Sequence, residues 1–255
     1  MNSSFSHYME LLIGMTEKEL RARYKHTVFG FLWIVANPLL QMLVIGFIFP
    51  FFIRQQIENY NYYLFTGLLI WNFFSLSLTK ATPSIVNERS LIKKARFPRS
   101  VIPLSIILSN LVHLVLALAL LVIPLLFLGT LMFPRILFII PAFFLLILFT
   151  LGASLLTCAL NVRFRDINFF VQALLILWFY ATPIVYTLGL IPRSAYLLWR
   201  LNPLTAIFQL FQYALLGSAP PGLLVLSSNL ISTTLIIVLG ILVFQKESKN
   251  FDDWV

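Results

Sequence analysis

The reactive side chains of this sequence are few, and they do not converge. His7, His26 and His113 form no H-E-x-x-H pair, which removes the commonest zinc-hydrolase arrangement. None of the nine acidic residues sits well inside an apolar run, so two facing intramembrane aspartates are excluded. Cys158 has no second cysteine to pair with, which rules out an internal disulfide and every multi-cysteine metal motif, and it reads as a small packing residue. The best nucleophile is Ser154 in GASL with His113 as its base. That stretch lacks the second glycine of G-x-S-x-G, however, and nothing orients the histidine. A lone neutral histidine among apolar residues is better used in a hydrogen bond to a neighbouring helix. Proton relays need intramembrane acids or several histidines, and secondary transporters carry internal repeats that this chain lacks. G-x-x-x-x-G-K-[ST] is also missing, so no P-loop binds ATP here. The chain reads as non-enzymatic, with no cofactor of its own and its energy supplied from elsewhere.

Two other groups of residues carry a signal. The stretch NERSLIKKARFP sets Glu88, Arg89, Lys93, Lys94 and Arg96 around the large apolar side chains Leu91, Ile92 and Phe97. Thr82-Pro83 predicts a helix start before it, and Pro98 a stop. Such a segment can be a topology signal that touches anionic headgroups. It can also be a docking helix, with apolar anchors between charges that set register. A topology signal needs neither Glu88 nor three apolar side chains, which favours docking. The second group pairs amides with rings. Asn37 and Gln41 are four apart on one helix face, and Trp71-Asn72-Phe73-Phe74, Trp178-Phe179-Tyr180 and Tyr186 add aromatics. Interfacial belts and core packing account for most of these rings. The remainder can line a path for an amphipathic cargo, because a ring face packs on the C–H surface of a sugar while amides and phenols bond its hydroxyls.

What must position these groups is a membrane fold. A chain of 255 residues that is 60% hydrophobic and 11% charged lacks the polar surface of a water-soluble domain. Six runs are long enough to cross a bilayer as helix: Phe31 to Ile53, Tyr62 to Thr79, Val101 to Leu128, Ile136 to Leu160, Ile167 to Leu188 and Leu223 to Phe244. Their unbroken apolarity argues for helices over barrel strands. Prolines 38, 103, 124 and 183 fall inside these runs, where they mark kinks. Fourteen of the 18 Lys and Arg fall on one side, in the N-terminal segment, the loops after spans two and four, and the C-terminus; Arg54, Arg135, Arg193 and Arg200 fall on the other. This predicts cytoplasmic termini, and it accounts for the net charge of +9 without nucleic acid. No cleavable signal peptide is visible. Tyr8 to Lys25 predicts an amphipathic helix in the membrane interface, with Glu10, Glu17, Lys18, Arg21 and Lys25 on one face and Glu19 and Arg23 snorkelling from the other. The organisation expected is therefore an interface segment, residues 1–30, followed by an all-α six-helix domain, residues 31–255. Thr187 to Pro221 is apolar but broken by Pro192, Asn202-Pro203 and a closing Gly-Ser-Ala-Pro-Pro, so it predicts a re-entrant helical hairpin.

On these residues the chain resembles the ABC-2 type permeases that export polysaccharides, including the O-antigen, capsule and teichoic acid exporters of bacteria. The resemblance runs through KELRARYKHTVFGFLWIVANPLLQML, LLIWNFFSLS, SLIKKARFPRSVIPLS, NVRFRDINFFVQ, ATPIVY and LNPLTAIFQLFQYALLG. It implies a homodimer in the inner membrane, moving a lipid-linked polysaccharide through a channel whose candidate lining is Asn37, Gln41, Asn72, Phe73, Trp178, Tyr180 and Tyr186. It also implies two copies of a separate ATPase subunit, which bind the ATP and Mg. Coupling to that subunit falls on Glu88, Leu91, Ile92, Lys93, Lys94, Arg96 and Phe97, and on Arg163, Arg165 and Asp166. The hairpin resembles the family's outer gate, here with Pro192, Trp199, Asn202 and Pro203. One departure stands out: Gln209 and Gln212 occupy positions where family members often carry an acid and an arginine. The alternatives are an ABC-2 permease for a small lipid or drug, and a membrane enzyme acting on lipid-linked sugars.

Overall fold

The computed structural model describes residues 2–25, 30–51, 57–94, 97–192 and 194–254, and among these every regular element is a helix. In chain order they are α1 (Asn2–Tyr24), α2 (Trp33–Ile48), α3 (Tyr60–Ala81), the short α4 (Ser84–Asn87) and α5 (Arg89–Lys94), α6 (Val101–Phe127), α7 (Ile139–Arg163), α8 (Asp166–Ala181), α9 (Tyr196–Leu201), α10 (Thr205–Leu216), α11 (Leu223–Glu247) and α12 (Phe251–Trp254). Among the described residues four helical stretches are long and apolar enough to cross a membrane: Tyr60–Ala81, Val101–Phe127, Arg135–Arg163 and Leu223–Asn250.

The other two expected spans are shorter. α2 and α8 have 16 residues each, which as helix rise about 24 Å against a hydrocarbon core of about 30 Å. Single 3-10 turns, Gly30–Leu32 and Phe49–Phe51, lengthen α2 at both ends. α8 ends at Ala181, not at the expected Leu188, because Thr182 precedes Pro183 and is extended, with φ −107 and ψ 138. Of the four prolines expected to mark kinks, Pro38 and Pro124 lie inside helices. Pro103 falls in the first turn of α6, and Pro183 just past α8.

α3 is the hub. It packs on α2, α6, α7, α8 and α10, and nearly its whole circumference is buried, as befits a helix that is apolar on every side. The closest pairing is α7 with α11. It depends on two glycines, since a Cβ on Gly152 would lie 2.6 Å from the Cα of Ile237, and one on Gly240 would run into the Gly152 carbonyl. Small residues at such crossings let helix backbones touch without side chains between them. α10 ends at Gly217, whose φ of 76 is the left-handed cap conformation that favours glycine.

α1 lies along α6, so it is a packed element of the bundle. Leu12 is buried and Ile13 exposed, and Arg23, expected to snorkel, turns into the protein. The segment after α3 also departs from the single helix expected from Thr82 to Pro98. Its two short helices meet at Glu88, where φ −92 and ψ 24 break the run. The Thr82 hydroxyl caps nothing, because it bonds back to the Leu78 carbonyl at 2.7 Å.

Candidate functional site

The amides expected to line a path do meet. Asn37 and Gln41 of α2 and Asn72 and Phe73 of α3 face a cavity of about 480 Å³ closed by α6 and by the end of α1. Asn72 Nδ2 donates to Gln41 Oε1 at 3.5 Å. Further polar groups that sequence reasoning did not assign to a path share the cavity, among them Arg23, Ser75, Lys80, Asn110 and His113. Arg23 Nη2 donates to Asn110 Oδ1 at 2.5 Å, and Nη1 bonds His113 Nδ1. Asn110 in turn donates to Ser77 Oγ at 3.0 Å. His113 thus bonds a neighbouring helix as expected, but the partner is an arginine of the N-terminal helix. Asn110 and His113 are three apart, the spacing that puts two residues on one helical face, and that was the available signal.

The remaining path candidates lie elsewhere. The Trp178 ring sits edge-on to Phe74 at 5.5 Å and to Phe149 at 5.9 Å, within the core. Its Nε1 donates to Asn202 Oδ1 at 3.0 Å. Asn202 also donates to the Ala181 carbonyl at 2.8 Å and Thr182 Oγ1 at 3.0 Å, and its Oδ1 accepts from Leu204 N at 3.0 Å. Trp199 Nε1 donates to the Tyr186 hydroxyl at 2.6 Å, which itself donates to the Tyr180 carbonyl at 2.5 Å. Residues expected as channel lining and residues expected as gate therefore form one hydrogen-bonded network between the end of α8 and the α9–α10 pair. The Tyr60 and Tyr63 hydroxyls join it through the carbonyls of Val185 and Tyr186, at 3.1 Å each. Gly67 gives that turn its seat, with Ile184 Cγ2 only 3.0 Å from where a Cβ would stand. Pro203 is held through its carbonyl by Asn229 of α11, and Pro192 is exposed. The Tyr180 side chain, 64% exposed, borders a separate groove of about 310 Å³ with Trp71, Gln172 and Phe179. Within one chain the seven path candidates therefore occupy separate places and do not make one wall.

At the opposite end, the expected anchors divide. Ile92 is only 2% exposed and packs with Ile85, Ile102, Leu155 and Phe244 in an apolar cluster of its own chain. The expectation of three exposed anchors is corrected for this residue: it ties α5 to α6, α7 and α11. Phe97 leans on the same cluster half-buried, and Leu91 is half-exposed. Arg89, Lys93 and Lys94 are exposed, whereas Arg96 lies outside the described residues, as do His26, Arg54 and Arg193. Glu88 forms an ion pair with Lys18 of α1 at 2.6 Å. In the second loop Arg163 lies over the rings of Phe164 and Trp254 at 5.1 and 5.2 Å, and Arg165 and Asp166 are exposed. Val162 and Phe251 belong to the cluster that holds Ile92, so both loops and the C-terminal turn share one footing.

Apolar helices around a polar cavity, short helices at one end and basic loops at the other make this a multi-pass helical membrane protein. Residues 10–216 match the family described as ABC-2 type transporter, and the chain belongs to that family. Among its relatives, an O-antigen export system permease protein RfbA from Klebsiella pneumoniae is 33% identical over 258 aligned positions, covering 98% of this chain and 97% of the relative. A protein of the same name from Myxococcus xanthus is 37% identical over 213 positions, 80% of each chain. A second from Klebsiella pneumoniae is 37% identical over 210 positions, covering 81% and 80%.

Proposed function

We propose that this chain is the membrane-spanning, channel-forming subunit of an ATP-driven exporter that carries a polysaccharide of the O-antigen type, linked to a lipid, from the cytoplasm across the inner membrane. The observation that carries this reading is the likeness to an O-antigen export permease over 98% of the chain. On this reading α2, α3, α6, α7, α8 and α11 are six spans with both termini in the cytoplasm, and the α9–α10 pair re-enters from the outer face as the gate. Two copies assemble around the path, driven by two copies of an ATPase subunit that bind ATP and Mg. The exposed apolar rows of α2 (Leu40, Leu43, Phe47) and α8 (Phe169, Ile176, Leu177) support a surface left for lipid or for the second copy. Docking of the ATPase falls on Leu91 and Phe97 as anchors, with Glu88, Lys93, Lys94 and Arg96 setting register and Arg163, Arg165 and Asp166 alongside. Ile92 holds the loop to the bundle.

Removing the gene from its host and restoring it on a plasmid tests the reading: polysaccharide should vanish from the cell surface, accumulate inside, and return. Cysteines at Gln41, Asn72 or Tyr180 in a Cys158→Ala background test the path, since each should react with a water-soluble thiol reagent during export. Inert cysteines at all three positions, alongside normal export, would remove these residues from the path.

A further inference from the structure

The cavity that holds Asn37, Gln41 and Asn72 also carries charge of one sign. Arg23, in the last turn of α1, and Lys80, in the last turn of α3, line it from different helices, and among the described residues no Asp or Glu does. Glu19 and Glu88 border a neighbouring groove beside α4, which Lys80 also reaches. Arg23, Gln41, Asn72 and Lys80 are half-buried and Asn37 is exposed, so each keeps some surface open. Asn110 and His113, both buried in α6, hold the Arg23 guanidinium in place. Like charges brought to one cavity raise each other's cost, and an anion between them lowers it. The rest of the wall is apolar, with Ile34, Leu69 and Leu114, and with Trp33 and Leu76 left 47% and 43% exposed. At about 480 Å³ the cavity falls within the roughly 300 to 1,000 Å³ of small-molecule sites.

We propose that this cavity binds a phosphorylated lipid headgroup, with the phosphate oxygens on Lys80, Arg23 and the Asn37 amide and the chain running out past Trp33 and Leu76. Its placement at the cytoplasmic leaflet rests on the export reading above. A phosphate monoester brings up to two negative charges and three acceptor oxygens, which suits an ammonium and a planar guanidinium together. A neutral sugar leaves both cations unbalanced, and a sugar carboxylate balances one and brings no chain for the apolar wall. Basic pockets between membrane helices on the cytoplasmic side take lipid headgroups by this chemistry, and tryptophan is enriched at the same level. The bilayer and the lipid end of the cargo present the same group, so either can be its source.

The test uses the transporter assembled with its ATPase subunit, read by native mass spectrometry. Dioctanoyl phosphatidic acid should bind at least tenfold more tightly than dioctanoyl phosphatidylcholine, which carries no net charge, and than inorganic phosphate, which has no chain. Lys80→Gln and Arg23→Gln should each weaken phosphatidic acid at least tenfold, whereas Lys246→Gln, which removes an exposed cation, should leave it unchanged. Lys80→Gln decides the matter alone if Arg23→Gln fails to assemble. Equal binding of the two lipids, unchanged binding by Lys80→Gln, or an equal loss in Lys246→Gln overturns the site. Inorganic phosphate binding as tightly as phosphatidic acid overturns the lipid. Lipid retained from the host is weighed in the same spectra: a sugar-bearing phosphate lipid assigns the site to the cargo, a plain phospholipid assigns it to the bilayer, and a lipid without phosphate counts against it. Surface polysaccharide is measured in parallel, so intact export without the lipid preference removes the site and leaves the export reading standing.

Discussion

At the end that holds α9 and α10, Asn202 alone makes four hydrogen bonds, and Trp178, Trp199, Tyr186, Tyr60 and Tyr63 each contribute a polar group to the same network. The loop that carries Glu88 to Phe97, at the other end, is held among its described residues by burial of Ile92, the lean of Phe97 and the ion pair from Glu88 to Lys18, while Arg89, Lys93 and Lys94 are exposed. The two ends are restrained by different physics. Directional bonds among buried polar groups admit one geometry, because any slip leaves a donor or acceptor unpaired. An apolar cluster tolerates small sliding, since burial is not directional. On the proposed reading, the first arrangement would serve a gate that either holds or breaks, and the second a lever that shifts while staying attached.

The largest effect should come from Asn202→Leu, which keeps the volume and removes all four bonds. Trp178 Nε1 and Leu204 N would be left buried without partners, at about 1 to 3 kcal/mol each. Thermal unfolding of the detergent-solubilised chain should show a loss of about 4 kcal/mol, and an unchanged midpoint would mean that the network does not hold α9 and α10 in place. Ile92→Ala should lose about 3 kcal/mol by the same measurement, because it empties a closed apolar site. A loss under 1 kcal/mol would mean that α5 is not anchored through this residue.

Leu91→Ala with Phe97→Ala sharpens the contrast, since both side chains stay partly exposed in the chain alone. Stability should fall little, while ATPase affinity drops about thirtyfold or more, as expected for anchors worth about 2 kcal/mol or more, and export stops. Membrane orientation, mapped in the same variant, is the control. Normal export, or failure through inverted orientation alone, would return the segment to the role of a topology signal. The smallest effect belongs to Glu88→Gln. The Lys18 partner is more than half exposed, so the pair should contribute under about 1 kcal/mol, and co-purification of the ATPase should barely change. A large drop there would make the charge, and not the apolar anchors, the docking determinant.

How much could be read in advance depended on range along the chain. The four long apolar stretches, the break at Asn202-Pro203 and the basic loops are properties of neighbouring residues, and they were legible within a residue or a few. The end of α8 was not, because Thr182 to Leu188 is apolar enough to continue a span and only the proline's effect on Thr182 stops it. Arg23 was read as a snorkelling surface residue because nothing local points to Asn110 and His113, nearly ninety residues away. Ile92, set among cations, looked exposed for the same reason.

By itself the sequence determined an all-helical membrane protein, which stretches could cross, and which loops carry charge. Those follow from the length and polarity of continuous runs, because lipid accepts only backbone that bonds within its own helix. Only the tertiary structure decided that Asn202 bonds Trp178 to the start of the α9–α10 pair, that Ile92 belongs to the core, and that Gln209 and Gln212 lie beside a cavity. Each of these depends on residues far apart in the chain meeting within a few ångströms, and helix packing, which no local pattern encodes, sets those meetings.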